Sequence, residues 1–119
     1  MSMGPEDLRI RTKQFAIRIV RLYKSLPFSA EAQVLGKQLL RCGTAVAANY
    51  RAACRGRSRA EWVAKIGLVV EEADESCFWI EMLSDCEIVP ADRLKDLRQE
   101  AIELSKLFTA SQRTARRRG

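Results

Sequence analysis

Residues 62–86 read WVAKIGLVVEEADESCFWIEMLSDC, and at helical spacing they carry two apolar stripes where a surface helix carries one. The first stripe is Trp62, Ile66, Val69, Ala73, Cys77 and Ile80, enough to face a core. The second is Leu68, Glu72, Glu75, Trp79, Met82 and Cys86, in alternating steps of four and three, with two carboxylates set into it. A helix apolar on two sides needs cover on two sides. The stretch therefore predicts a helical bundle and, beyond it, a partner surface.

The same periodicity extends outward. A first helix over about 5–26 opens on Pro5, a residue suited to the first helical position, and its core stripe is Leu8, Phe15, Ile19, Leu22 and Leu26. Pro27 stops it, because the residue before proline resists helix. Ser29 is the expected N-cap of a second helix over 30–55, with Leu35, Leu39, Val46, Tyr50 and Ala53 near one side. Gly36, Gly43 and Ala47 sit beside that stripe. Each glycine costs a helix about 1 kcal/mol, so close approach of another helix is expected to offset it. The opposite side is also poor in charge, with Ala45, Ala48 and Ala52 between Arg41 and Arg55. Ser58 and Glu61 have the spacing of a capping box for the third helix, 59–87. Pro90 begins a fourth over 90–112, with Leu94, Leu97, Ala101, Leu104 and Phe108 at alternating three-four spacing. Residues 113–119 read as a frayed basic tail. With no strand pattern and short joints, residues 1–112 form an all-α, antiparallel up-down-up-down four-helix bundle.

Composition narrows the function. At 119 residues the chain is one domain, and 47% apolar with 30% charged residues describes a folded protein. No apolar run approaches the roughly 20 residues that span a bilayer, and the N-terminus lacks the apolar stretch of a secretion signal. A cytoplasmic protein without membrane contact is expected. Histidine is absent, which removes Ser-His-Asp and Cys-His catalysis and the Glu-x-x-His pairs of di-iron bundles. The four cysteines, Cys42, Cys54, Cys77 and Cys86, make no CxxC pair, so each is expected to pack as a small hydrophobe. No phosphate-binding glycine motif occurs. The expectation is no catalytic residue, no metal ligand set and no cofactor.

Net charge is +6, and it is unevenly spread: residues 1–60 hold 12 basic and 3 acidic side chains, residues 61–119 hold 9 and 12. The arginines form three groups, Arg11, Arg18 and Arg21 on the first helix, Arg51, Arg55, Arg57 and Arg59 around the second turn, and Arg113, Arg116, Arg117 and Arg118 in the tail. One account is a solvated surface with salt bridges to the acids of the third helix. The other is phosphate-backbone binding, which such clusters supply without sequence preference. No sequence-reading motif is present, and exposed aromatics for base stacking are not expected. Glu72 and Glu75 are costly to bury unpaired, so they should meet arginines or Asn49 across a helix-helix or subunit contact. Asn49 reads as a register-fixing polar residue. Trp62 is assigned to the core. Trp79, with Leu68 and Met82, is assigned to an intersubunit contact.

Residues 36–51 (GKQLLRCGTAVAANYR), followed by Ser58-Arg-Ala-Glu61-Trp62 and Glu71-Glu-Ala-Asp-Glu75, carry a resemblance. The chain resembles the bacterial four helix bundle protein family, proteins encoded in intervening sequences of 23S ribosomal RNA genes. It departs from the family's habit at the end of the second helix, keeping Asn49 but holding Ala45 and Ala52-Ala53 where a serine and an acid are common. The resemblance implies a bundle that assembles as a ring, often a pentamer. A related branch includes the accessory protein of diversity-generating retroelements, a basic pentamer that binds nucleic acid and a reverse transcriptase. The resulting expectation is a non-enzymatic homo-oligomer that binds RNA or DNA backbone, with a reverse transcriptase or other ribonucleoprotein component as a further partner. The competing expectations are a protein-protein adaptor and, last, a bundle enzyme using Glu72, Glu75 and a cysteine.

Overall fold

Pro5, Ser29 and Ser58 each stand at a helix start in the computed structural model, which describes residues 4–118. The helices are α1 (Pro5–Ser25), α2 (Ala30–Cys54), α3 (Arg59–Asp85) and α4 (Ala91–Arg118). Ser29 Oγ accepts from the Ala32 N–H at 3.3 Å, and Ser58 Oγ from the Glu61 N–H at 3.1 Å. The Glu61 carboxylate reaches back one residue further than a capping box requires and accepts from the Arg57 N–H at 2.6 Å. At the other end of α3, Glu87 adopts φ 59°. The Glu87 and Ile88 N–H groups then donate to the carbonyls of Ser84 (3.0 Å) and Leu83 (2.9 Å). This is a Schellman closure with glutamate where glycine is usual.

Successive helices pack side by side, and α1 touches α4 only sparingly. The bundle is elongated, 47 × 25 × 20 Å. Its core runs along the axis through Phe15 and Ile19, Leu39 and Val46, Ile66 and Ile80, Leu104 and Phe108, all essentially inaccessible. The expected core lines of α2 and α4 are buried throughout. On α1, Leu22 is only partly buried, and Thr12 is buried in the line instead, its hydroxyl donating to the Leu8 carbonyl at 2.8 Å. A Cβ on Gly43 would lie 2.1 Å from Ile19 Cδ1, and one on Gly36 would lie 2.6 Å from Leu26 Cδ1. The two glycines therefore let α1 sit against α2.

Three expectations need correction. The tail from Arg113 is helical: α4 continues to Arg118, and of the expected tail only Gly119 lies outside the described residues. Gln112 Nε2 donates to the Val63 carbonyl at 3.0 Å, using space left by Gly67, so the last turns of α4 are docked on α3. Arginines in a last turn also favour the helix C-terminus electrostatically. Second, α3's core line runs through Ser76 and Leu83, with Cys77 and Trp62 only partly buried. Third, Cys86 is exposed at the C-cap of α3, past the packed turns, and does not act as a small hydrophobe. Helix bounds otherwise fall within two residues of the expected ones, the usual scatter of frayed ends.

Candidate nucleic-acid interface

Up-down-up-down packing decides which arginines meet. The α2–α3 joint and the C-terminus of α4 fall at one end of the bundle, because α4 runs back along α3 to the place where α3 starts. Gln112 on Val63 fixes that register. The Tyr50 and Phe108 rings, with centroids 5.0 Å apart, tie the end of α2 to α4. Arg51, Arg55, Arg57 and Arg59 thus share an end with Arg113, Arg116, Arg117 and Arg118. All eight are exposed. None of the eight forms an ion pair among the described residues. Two groups that are more than fifty residues apart in the chain become one basic surface.

The first-helix group divides. Arg11 is engaged: its guanidinium donates to both carboxylate oxygens of Glu100, from Nε at 2.8 Å and Nη2 at 2.7 Å, and reaches Glu103 at 3.5 Å. The Glu100 contact raises the Arg11 pKa against the opposing effect of burial. This bidentate pair joins α1 to α4 where packing between them is thin. Arg18 and Arg21 lie nearer the opposite end, beside a second groove shared with Arg93 and Asp96 of α4.

At the arginine end, a groove of about 570 Å³ opens between the start of α3 and the last turns of α4. Its walls are Arg59 and Trp62 on one side and Ala110, Ser111, Thr114, Ala115 and Arg118 on the other. Trp62 rests partly on the core and otherwise lines this groove. Aromatic surface beside the arginines was not expected, because the spacing that puts Trp62 in line with Ile66 says nothing of where the neighbouring helix stops covering it.

Glu72 and Glu75 meet an arginine, and it is Arg41 of α2. Arg41 Nη1 lies 3.5 Å from Glu72 Oε2, and Nη2 contacts Glu75 Oε2. The Trp79 indole N–H also donates to Glu75 Oε2, at 3.0 Å. Asn49 is partly buried and makes no side-chain hydrogen bond among the described residues. Glu72 Oε2 is fully buried with no hydrogen bond. Burial, then the neighbouring Glu75, pushes the Glu72 carboxyl up, and Arg41 pulls against both.

Apolar surface flanks this bridge. Leu68, 40% exposed, lies one and two turns before the two carboxylates, and Val34, 61% exposed, lies two turns before Arg41. Phe78, 51% exposed, meets Trp79 edge-on at 4.8 Å between centroids. Trp79 and Met82 are partly buried against their own core. Burial pushes the Cys42 thiol up, with the Ser76 hydroxyl donating to its sulfur at 3.3 Å. Burial also raises Cys77, helped by Glu81. Neither thiol is activated as a nucleophile. Among the described residues no cluster of metal-ligating side chains occurs, and no helix is long and apolar enough to cross a membrane.

Comparison with known proteins agrees with this architecture. The chain is 32% identical to a protein with unknown function from the S23 ribosomal protein family of Bacteroides thetaiotaomicron, whose crystal structure was determined at 1.70 Å. The two superpose with a TM-score of 0.86 over 93% of this chain and 99% of that one. No curated protein matches the chain. The model of the 23S rRNA-intervening sequence protein family matches residues 7–110. With four packed helices over that same span, the chain belongs to the 23S rRNA-intervening sequence protein family.

Proposed function

We propose that this protein is a non-enzymatic, self-associating binder of nucleic-acid backbone, working in the cytoplasm. The observation that carries the reading is the joining of eight exposed arginines, from α2, the α2–α3 joint, α3 and α4, at one end without carboxylate partners. Unpaired guanidinium groups gathered at one end attract phosphates of RNA or DNA by charge and counterion release. Raised thiol pKa values and the absence of histidine favour binding over catalysis.

Self-association uses the α2–α3 face. Val34, Leu68 and Phe78 are exposed there around the Arg41–Glu75 bridge, with Trp79, Met82 and Asn49 at its margins. A second copy would cover this apolar surface and could supply a donor to Glu72 Oε2. A closed ring, five-membered as the family resemblance implies, would repeat the arginine end around its axis and multiply weak phosphate contacts through avidity. A reverse transcriptase or another ribonucleoprotein component fits as a further partner of such a ring. If the same face instead binds an unrelated protein, the molecule is an adaptor.

The test is binding of labelled RNA and DNA across a salt series, with light scattering on the same samples. The affinity should fall steeply between about 50 and 200 mM salt, and the scattering mass should exceed that of one chain. Free migration of both nucleic acids at low salt refutes the backbone-binding reading. A monomer at micromolar concentration refutes the assembly.

A further inference from the structure

We infer that the groove at the arginine end takes an unpaired base of single-stranded nucleic acid, stacked on Trp62, with the flanking phosphates held by Arg59 and Arg118. The inference rests on the backbone-binding reading and specifies what that end distinguishes. Arginines alone bind duplex and single strand alike. An aromatic ring in a slot does not, because a paired base is already stacked within its helix and cannot enter.

The groove has the parts this requires. Its volume of about 570 Å³ lies within the range of small-ligand pockets, room for a nucleotide. Trp62, in the first turn of α3, is braced on one side by the core, so ordering it costs little when a base arrives. Its indole N–H has no hydrogen-bond partner among the described residues. The facing wall is small: Ala110, Ser111, Thr114 and Ala115 leave the slot open where larger side chains would close it. Arg59 and Arg118 border the groove from different helices, and neither is paired with a carboxylate. The second groove, between α1 and α4, also gathers arginines, Arg18, Arg21 and Arg93. It has no aromatic wall, and Asp96 places a negative charge within it. The base-binding assignment therefore goes to the Trp62 groove.

The experiment uses the whole protein, a 12-nucleotide oligouridylate and a 12-base-pair RNA duplex, both at low salt. Tryptophan emission should fall when the single strand binds and stay unchanged when the duplex binds. The chain holds two tryptophans, Trp62 and Trp79, so Trp62→Phe removes the reporter in the groove. That variant should keep most single-strand affinity and lose the emission change. Trp62→Leu should bind the single strand about tenfold more weakly and the duplex within a factor of two. If Trp62→Leu fails to fold, comparing the parent's emission with that of Trp62→Phe decides alone. Binding of the single strand without an emission change, or an equal loss on both ligands, overturns the groove assignment and leaves the arginine end standing. No binding of either ligand overturns both.

Discussion

Arg41 faces two carboxylates, and its removal has a pH signature. Glu72 sits above the ordinary carboxylate range because it is buried and beside Glu75, and Arg41 is the cation that opposes both effects. A folded-state carboxyl pKa above the unfolded one means the native state holds the proton more tightly. Stability is then gained on acidification through the window between the ordinary value and the elevated one, and lost as pH rises through it. Arg41→Met should widen that window upward. We expect a loss of about 1 kcal/mol at pH 7, discounted because Arg41 is half exposed, and a smaller one where Glu72 is protonated and only the Glu75 contact is still lost. Urea midpoints at pH 7 and pH 4.5 measure it, and an equal loss at both pH values contradicts the assignment. Glu87 offers a simpler test. Its φ of 59° costs a residue with a Cβ about 1 kcal/mol or more, and glycine's greater freedom in the unfolded chain returns part of the gain. Glu87→Gly should therefore stabilise the protein by about 0.5 kcal/mol, read from the shift in urea midpoint. The two carboxylates were legible as a costly pair from their place in an apolar stripe. Their partner was not, because helical spacing fixes a residue's side of its own helix but not the register that selects Arg41 over Arg51 or Asn49.

Between elements, the α1–α2 contact rests on what α2 lacks. Gly43 leaves the space that Ile19 Cδ1 fills, and an added methyl would have to push that side chain aside within a closed core. Gly43→Ala gains helix propensity of about 1 kcal/mol but overpacks a site where the cost is about 1–3 kcal/mol. The expected net effect is destabilising. Ile19→Val deletes Cδ1, so the double variant Gly43→Ala/Ile19→Val should be more stable than the two single losses added, by at least about 0.5 kcal/mol. Strict additivity in thermal or urea unfolding contradicts the contact. Small residues beside an apolar stripe announced this approach, and the core lines of α2 and α4 were equally readable, because burial against neighbours follows the 3.6-residue period. The extension of α4 was not. Arg113–Arg118 has the composition of a solvated tail, and its helicity depends on Gln112 reaching Val63 across a gap left by Gly67, a tertiary fact with no local signature.

At the scale of the molecule, a bundle 47 Å long carries unpaired and carboxylate-held arginines, and the two kinds should separate in one experiment. Those at the α2–α3 joint and the end of α4 face solvent unpaired, whereas Arg11 is held by Glu100 and Glu103 and bridges α1 to α4. Phosphate contacts set how steeply affinity falls with salt, each one lost reducing the logarithmic slope by about 1. Replacing Arg116 and Arg117 by alanine should lower that slope by one to two. It should lower the melting temperature by no more than a few degrees, since exposed last-turn charges favour the helix C-terminus only weakly. Arg11→Ala should do the reverse. Glu100 is 17% exposed at its side chain and would lose a bidentate partner, a loss of about 1–3 kcal/mol, while the salt slope stays at the parent value. Arg21→Ala, nearer the far end, should change neither quantity much. If Arg11→Ala flattens the slope as much as the Arg116→Ala/Arg117→Ala variant does, phosphates are contacted along the whole side of the bundle. The end that chain topology builds from two distant arginine runs would then have no special claim on nucleic acid.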